Sequence, residues 1–198
     1  SEKSFNLSEK KTKLLIDDNY KLCHFKTENI FKKISKKHKI NYLILRPGAV
    51  YGFPFKKKKF NRLKLIPYSF PIELYFKNKI VLKSSGTQMR NFCYNQDIGK
   101  KILYWIKDKN RNNTISNVSG DLTSSVKGFA FLCLKTFQHI FKKRGQIIIP
   151  NNSKKKLIKR KLYVNEVIKT KNSGNIEKFL KNFFVLLKKK KIKQIILS

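Results

Sequence analysis

The sequence has few acidic residues and few glycines for its length. Its 198 residues contain 47 Lys and Arg but only 11 Asp and Glu, which gives a formal net charge of +36. Only eight glycines are present. No stretch has the G-x-G-x-x-G spacing that opens a dinucleotide-binding domain and holds a pyrophosphate at a helix N-terminus. Taken alone, the chain is therefore not expected to cradle the phosphates of a dinucleotide.

Cysteine, histidine and long apolar runs are also scarce. The three cysteines show no C-x-x-C or metal-ligand spacing, and the three histidines are scattered, so we expect reduced thiols and no metal site. No apolar run reaches the length of about 18 residues that a membrane-spanning helix needs, and the polar N-terminus is unlike a signal peptide. These observations predict a cytoplasmic protein with no membrane partner.

Lysine supplies nearly all of the positive charge, because only six of the 47 basic residues are Arg. Arginine is the side chain that reads phosphates and guanines with a planar fork, so we expect no specific nucleic-acid partner and interpret the lysines as a solvated surface. A basic nucleic-acid or polyanion-binding module is the alternative reading. Its support is three lysine clusters, at Lys56–Lys59, Lys154–Lys156 and Lys188–Lys191.

Helices and short apolar strands alternate along the chain, which predicts an α/β fold. Residues 1–19 are polar and are expected to form a loop, and residues 53–70 a loop with one helical turn. Helices are predicted over residues 20–37, 95–107, from the Thr123–Ser125 cap to 143, and near 175–190. Strands are predicted over residues 41–46, 79–82, 115–118 and 146–150.

Tyr20 and His24 lie four residues apart on the first predicted helix, so their side chains can share one face. A tyrosine that exchanges protons near neutral pH needs its phenolate stabilised, and a nearby cation or a helix N-terminus can provide this. A tyrosine that only packs at a helix start is the simpler reading of these two residues by themselves. The residues that follow them weigh against this simpler reading.

The segment from Tyr20 to Gly52 resembles the pattern Y-x-x-x-K-x-x-x-E, helix, strand, L-R-P-x-x-V-Y-G of extended short-chain dehydrogenase/reductases, the NAD-dependent epimerase/dehydratase family. Residues 86–106 are similar to that family's R-D-F-x-x-V-x-D-x-A segment, and residues 113–130 to its N-x-x-x-G-x-x-x-S segment. Residues 164–174 faintly resemble the helix and turn that end the family's domain. The matching positions in the first two segments are Tyr20, Glu28, Leu45, Arg46, Pro47, Val50, Tyr51, Gly52, Arg90, Phe92, Asp97 and Ile102.

The resemblance implies an incomplete Rossmann-like α/β fold, the C-terminal part of an extended member, with a small mixed α/β substrate-binding lobe. Residues 1–52 would end the Rossmann-type core and residues 53–198 would mostly form that lobe. The implied activity is that of an NAD- or NADP-dependent epimerase, dehydratase or reductase acting on a nucleotide sugar. A homodimer is possible in the full-length enzyme, and the present chain is expected to be inactive alone.

The resemblance also assigns roles to individual residues. Tyr20 would exchange a proton with the substrate hydroxyl, while His24 would bind the nicotinamide ribose and support Tyr20. Pro47 would lie beside the nicotinamide, Arg90 would face the sugar nucleotide's diphosphate, and Asp97 would order local structure. The residues that would border the substrate are Gly48, Ala49, Val50 and Tyr51.

The chain departs from the family pattern at three points. His24 stands in place of the family's lysine, and imidazole loses its charge above about pH 6.5. Ala49 stands where many members have a substrate-binding asparagine. The serine or threonine partner of the tyrosine and the glycine-rich turn have no counterpart here. The chain is therefore read either as a fragment of a longer enzyme or as a degenerate, non-catalytic remnant, and an open reading frame upstream would distinguish the two.

Overall fold

The computed structural model describes residues 3–7, 19–53, 62–150, 160–164 and 167–189. Five helices lie in these ranges: α1 Asn19–His38, α2 Ile66–Lys77, α3 Asn95–Lys107, α4 Val126–Phe141 and α5 Ile176–Lys188. The strands are β1 Lys3–Leu7, β2 Leu43–Pro47, β3 Ala49–Tyr51, β4 Lys79–Val81, β5 Met89–Tyr94, β6 Thr114–Val118, β7 Leu122–Ser125, β8 Gln146–Ile148 and β9 Arg160–Val164.

The strands pair mostly in parallel, and helices separate them along the chain. β2 pairs with β6, β4 with β8, and β1 with β9, all in parallel. β3 and β5 are also parallel, and β7 adds to the other side of β5 as an antiparallel strand. Parallel strands need long crossovers, which helices supply here. The predicted α/β class is therefore confirmed.

Helices α2, α4 and α5 pack together over the β3–β5–β7 sheet and form an aromatic core. Phe92 of β5 stacks on Phe129 of α4 with ring centroids 4.4 Å apart, and both side chains are fully buried. The ring centroids of Phe184 in α5 and Phe137 in α4 lie 5.8 Å apart. Each fully buried aromatic side chain contributes about 1.5–3 kcal/mol relative to exposure, so the packing of these three helices stabilises this part of the fold.

Polar side chains cap the N-termini of α4 and α5. The Ser125 hydroxyl accepts a hydrogen bond from the Gly128 N–H at 2.9 Å, which caps α4 as the sequence predicts. The Asn175 side chain accepts from the Lys178 N–H at 2.8 Å and caps α5 in the same way. Helices α1, α3, α4 and α5 lie where the sequence predicts helices, with ends shifted by a few residues at most.

The prediction of a loop over residues 53–70 is wrong at its end, because α2 begins at Ile66. The loop was predicted from the mixture of Pro, Phe and Lys in this segment, and α2 contains two prolines. Pro67 lies in the first turn, where its missing N–H is not needed, whereas Pro71 lies inside the helix and removes one hydrogen bond. Burial of Tyr68, Phe70 and Leu74 outweighs that loss.

The prediction of a loop over residues 1–19 is also wrong in part, since Lys3–Leu7 forms β1 and α1 begins at Asn19. Strands β3, β5, β7 and β9 were not predicted either. The proposed boundary at residue 52 stays a prediction. The β2–β6 pair joins strands from both sides of that boundary in one sheet.

Candidate active site

A cleft of about 860 Å³ lies where the first half of α1, the ends of β2 and β3, and the start of α2 meet. All of the predicted site residues except Tyr51 line this cleft. Its lining residues are Tyr20, His24, Phe25, Glu28, Leu45, Arg46, Pro47, Gly48, Ala49, Val50, Gly52, Arg62, Leu65, Ile66, Pro67, Tyr68, Arg90 and Asn95.

One face of α1 supplies the tyrosine and the histidine. Tyr20 lies in the first turn of the helix and is 73% exposed. Its ring meets the His24 ring edge to face, with centroids 4.4 Å apart, so the predicted shared face is confirmed. Glu28 continues the same face one turn further on and also lines the cleft. The arrangement places a phenol and an imidazole side by side at an open cleft.

The wall opposite α1 is the chain segment that leaves β2 and enters β3. Pro47 ends β2 and is exposed, and Gly48 connects it to β3. A Cβ added at Gly48 would lie 2.3 Å from the backbone oxygen of Asn91, so a side chain would not fit between the two segments. Ala49 and Val50 follow and are half-buried. This segment therefore presents mainly backbone and small apolar groups to the cleft.

Glu28 and Arg46 form a two-pronged ion pair in the cleft wall. The Arg46 Nε donates to Glu28 Oε1 at 2.9 Å and its Nη2 donates to Oε2 at 2.7 Å. The hydrogen bonds from Arg46 hold the pKa of the Glu28 carboxyl below its usual value of 4.5, although partial burial opposes the shift. Glu28 is therefore ionised at neutral pH and bridges α1 to β2.

Two arginines line the cleft on the side of α2 and β5. Arg90 of β5 is exposed, and its Nη1 donates to the backbone oxygen of Met89 at 3.2 Å. Arg62, just before α2, is exposed as well. Guanidinium groups at an open cleft suit the recognition of phosphate oxygens. The sequence predicted Arg90, whereas Arg62 was missed because its segment was read as a loop without a site.

Tyr51 differs from the other predicted site residues, because its ring is fully buried and does not line the cleft. Its hydroxyl donates to Asp121 Oδ1, and Asp121 Oδ2 accepts from the N–H of Ile176 at the start of α5. Burial, reinforced by the contact with the Asp121 carboxylate, raises the pKa of Tyr51 above its usual value of 10. Tyr51 therefore anchors α5 to β3.

Tyr68 and Asn95 complete the floor of the cleft, and sequence reasoning missed both. The Tyr68 hydroxyl donates to the backbone oxygen of Gly52 at 2.7 Å, and burial raises the pKa of Tyr68 to about 12. The Asn95 amide donates to the backbone oxygen of Phe53 at 3.0 Å. Neither residue belongs to a motif, so only the packing of α2 and α3 against residues 52–53 reveals them.

Asp97 orders the chain before α5, as the resemblance implied. Its carboxylate is fully buried and accepts hydrogen bonds from the Ser173 N–H at 2.9 Å, the Ser173 hydroxyl at 2.7 Å and the Gly174 N–H at 3.0 Å. The Lys100 Nζ lies 3.4 Å from Asp97 Oδ1. Burial alone would raise the pKa of Asp97, but these partners hold it below its usual value of 3.8.

Several other predicted features lie away from this cleft or outside the described residues. Lys56–Lys59 and Lys154–Lys156 fall outside the described ranges, and of Lys188–Lys191 the structure describes Lys188 and Lys189, both exposed. Within those ranges no group of three or more His, Cys, Asp or Glu side chains is arranged to hold a metal ion. None of the described helices is long and apolar enough to cross a membrane.

The fold is that of a Rossmann-like α/β protein, and comparisons with known proteins define it further. Residues 7–119 match the model of the NAD dependent epimerase/dehydratase family. Since this match covers more than half of the chain, the protein belongs to that family. Comparison with curated proteins gives no match.

Solved structures of this fold come from several organisms. UDP-glucuronic acid 4-epimerase from Bacillus cereus, in complex with UDP-glucuronic acid and NAD, superposes with a TM-score of 0.71 at 17% identity, over 96% of this chain and 58% of its own. dTDP-glucose 4,6-dehydratase from Bacillus anthracis, in complex with NAD, superposes with a TM-score of 0.67 at 16% identity, over 93% of this chain and 56% of its own. The Pseudomonas aeruginosa protein RMD, complexed with NADPH, superposes with a TM-score of 0.65 at 12% identity, over 90% of this chain and 56% of its own. The chain thus spans little more than half the length of these neighbours.

Proposed function

We propose that this chain forms the substrate side of an NAD- or NADP-dependent epimerase, dehydratase or reductase that acts on a nucleotide sugar. The observation that carries the proposal is the single cleft into which Tyr20, His24, Pro47 and Arg90 converge. The family match supports the nicotinamide chemistry, and the complexes of the neighbouring structures support a sugar nucleotide as substrate.

Tyr20 is the proposed acid/base of the reaction. Its hydroxyl is exposed at the cleft, where it can take a proton from a sugar hydroxyl or return one. When bound, the nicotinamide accepts or returns hydride. Tyr20 lies in the first turn of α1, with its ring against that of His24.

His24 and Pro47 are the proposed contacts of the nicotinamide end of the cofactor. The imidazole beside Tyr20 can donate to a ribose hydroxyl, and the exposed Pro47 gives a flat apolar surface across the cleft. These residues fit the nicotinamide ribose. The sequence has no G-x-G-x-x-G turn for the pyrophosphate, so we predict that the 198-residue chain alone shows neither tight NAD binding nor turnover.

Arg90 is the proposed diphosphate contact, and Gly48, Ala49 and Val50 are the proposed border of the sugar. A guanidinium binds two phosphate oxygens at once, which orients the ligand along the cleft. The Ala49 side chain has no polar group, so other residues that line the cleft would bind the sugar hydroxyls. Tyr51 is left out of this set because it is buried.

The wider setting of the protein is also a proposal. We infer a cytoplasmic enzyme, with residues up to 52 closing its core and the remainder forming mostly the substrate lobe. A homodimer through α1 would bring together Lys33, Lys36 and Lys37 of two copies, which repel one another. We therefore expect any such dimer to weaken at low salt.

Calorimetric titration of UDP-glucuronic acid into the 198-residue chain tests the binding part of the proposal. Arg90→Ala is expected to weaken binding by about tenfold to a hundredfold, because it removes a charge-assisted hydrogen bond worth about 1.5–3 kcal/mol. Arg144→Ala is the matched control, since Arg144 is exposed and does not line the cleft. Equal losses in the two variants, or no binding by the wild-type chain, would contradict the proposal.

Tyr20→Phe tests the chemical part, in an enzyme that carries this chain together with a dinucleotide-binding half. We expect kcat to fall by about 10²–10⁴-fold with little change in stability, because only the acid/base hydroxyl is lost. Tyr104→Phe, on an exposed tyrosine of α3, is the control. Retention of turnover by Tyr20→Phe would remove the role assigned to Tyr20.

A further inference from the structure

Helix α1 carries the proposed acid/base pair, yet apolar packing holds it only loosely. Among its described side chains only Ser35 is buried, near the C-terminal end. Ile30, Phe31 and Ile34 are each about half exposed. Helices in proteins derive most of their stability from an apolar face packed on the rest of the fold. Polar contacts are therefore expected to contribute to the position of α1 beside β2.

Within the described part of the chain, polar side-chain contacts join α1 to the rest of the fold at its C-terminal end and in its middle. At the C-terminal end the Ser35 hydroxyl donates to the backbone oxygen of Ile40 and lies 3.1 Å from Asn113 Oδ1. In the middle of the helix, the Glu28–Arg46 pair joins α1 to β2 through two parallel hydrogen bonds of 2.9 and 2.7 Å. Two parallel bonds set an angle as well as a distance.

The Glu28–Arg46 pair lines the cleft and joins the two elements that carry Tyr20 and Pro47. Glu28 follows His24 by one helical turn and Tyr20 by two, on the same face. Arg46 immediately precedes Pro47 in β2. A shift of α1 relative to β2 would change the span between Tyr20 and Pro47, the two residues that would flank the reacting atoms.

We propose that Glu28 and Arg46 are positioning residues, whose paired side chains hold the Tyr20–His24 face of α1 at a set distance from Pro47. The proposal rests on the proposed function for the identity of the reacting groups, but the mechanical link stands on the geometry alone. The pair is partly sheltered, with side-chain exposures of 18% for Glu28 and 25% for Arg46. A partly buried ion pair in which both carboxylate oxygens accept hydrogen bonds loses less interaction energy to solvent screening than an ordinary surface pair.

Hydrogen–deuterium exchange of the 198-residue chain tests the link without any ligand. Glu28→Gln removes the charge and one of the acceptors, so we expect amides of residues 19–28 to exchange about tenfold faster while those of α4 are unchanged. Glu177→Gln is the matched control, on an exposed glutamate of α5. The double variant Glu28→Arg with Arg46→Glu restores the pair in reverse and is expected to return residues 19–28 to within about twofold of wild-type exchange.

The reversed pair separates positioning from general loss of structure. If Glu28→Gln fails to fold, recovery of folding and of α1 protection in the double variant still supports the proposal. Unchanged exchange of residues 19–28 in Glu28→Gln, or a folded double variant that stays unprotected there, overturns it. Affinity for UDP-glucuronic acid is measured in parallel. If the wild type does not bind, the proposed function fails, while the exchange result still decides whether the pair positions α1.

Discussion

Replacing Asp97 should damage this fold more than any change on its charged surface. The carboxylate is fully buried in α3 and holds the segment that leads into α5. Asp97→Ala would leave three donors, the Ser173 N–H and hydroxyl and the Gly174 N–H, without their acceptor. A buried donor without a partner costs about 1–3 kcal/mol, so the three together predict a loss of about 3–5 kcal/mol in the free energy of unfolding.

Asp97→Asn is the sharper form of this experiment because it keeps the shape of the side chain. The amide retains one oxygen but turns an N–H₂ donor toward a backbone donor, so we expect a loss of about 2–3 kcal/mol. Urea unfolding followed by circular dichroism measures both variants. Asp108→Asn, an exposed aspartate that accepts from the N–H of Asn110, is the control and should change stability by less than about 1 kcal/mol.

The pH dependence of Asp97 has a defined sign. Its partners lower its pKa in the folded protein, so its contribution to stability is full above the unfolded value near 3.8 and is lost as the pH falls through the lower folded value. Wild-type protein should therefore lose more stability in this acid range than Asp97→Asn. An Asp97→Asn variant as stable as wild type, with the same acid profile, would refute the reasoning.

Two further substitutions, each with a matched control, test how closely the cleft and core are packed. Gly120→Ala would place a Cβ 1.6 Å from a backbone oxygen of β5, so we expect a loss of more than about 3 kcal/mol in urea unfolding, whereas Gly99→Ala, with open space around it in α3, should be stabilising by about 0.5–1 kcal/mol. Equal effects at the two glycines would contradict the close approach. Tyr68→Phe leaves the Gly52 oxygen without its donor and should cost about 1–2 kcal/mol, while Tyr104→Phe on the surface should cost nothing measurable.

Local sequence signals located most of the helices well. Residues 95–107 were predicted as a helix from their spacing and form α3 with those bounds. The serine at 125 caps α4 as predicted, because the capping hydrogen bond involves only residues close in the chain. The predicted strands at 79–82, 115–118 and 146–150 are present as β4, β6 and β8, within one or two residues at their ends.

The same signals were poor guides to which side chains are buried. Ile102 and Ile106 lie at the apolar spacing that predicts the helix, yet both are exposed in the described part of the fold. Asp97 and Lys101 are the buried residues of this helix. The Lys101 ammonium donates to the backbone oxygen of Ile168, so a partner far along the chain compensates for its burial.

Short strands and α2 were missed because their stability comes from distant segments. β3 has three residues and exists through its pairing with β5, about forty residues away. The prolines of α2 argue against a helix locally, and only the burial of Tyr68 and Leu74 against α4 and α5 outweighs them. No window of a few residues contains that information.

The sequence by itself determined the family and the identity of the candidate acid/base, because Tyr20 and the L-R-P segment that begins at Leu45 lie at a characteristic spacing within one short stretch. Only the tertiary structure decided which matched residues face the cleft. It buried Tyr51 against Asp121, and it added to the cleft Tyr68 from the unpredicted helix α2 and Arg62 from the segment just before that helix. The physical reason is that spacing along the chain specifies a motif, whereas exposure of a side chain depends on the segments packed against it.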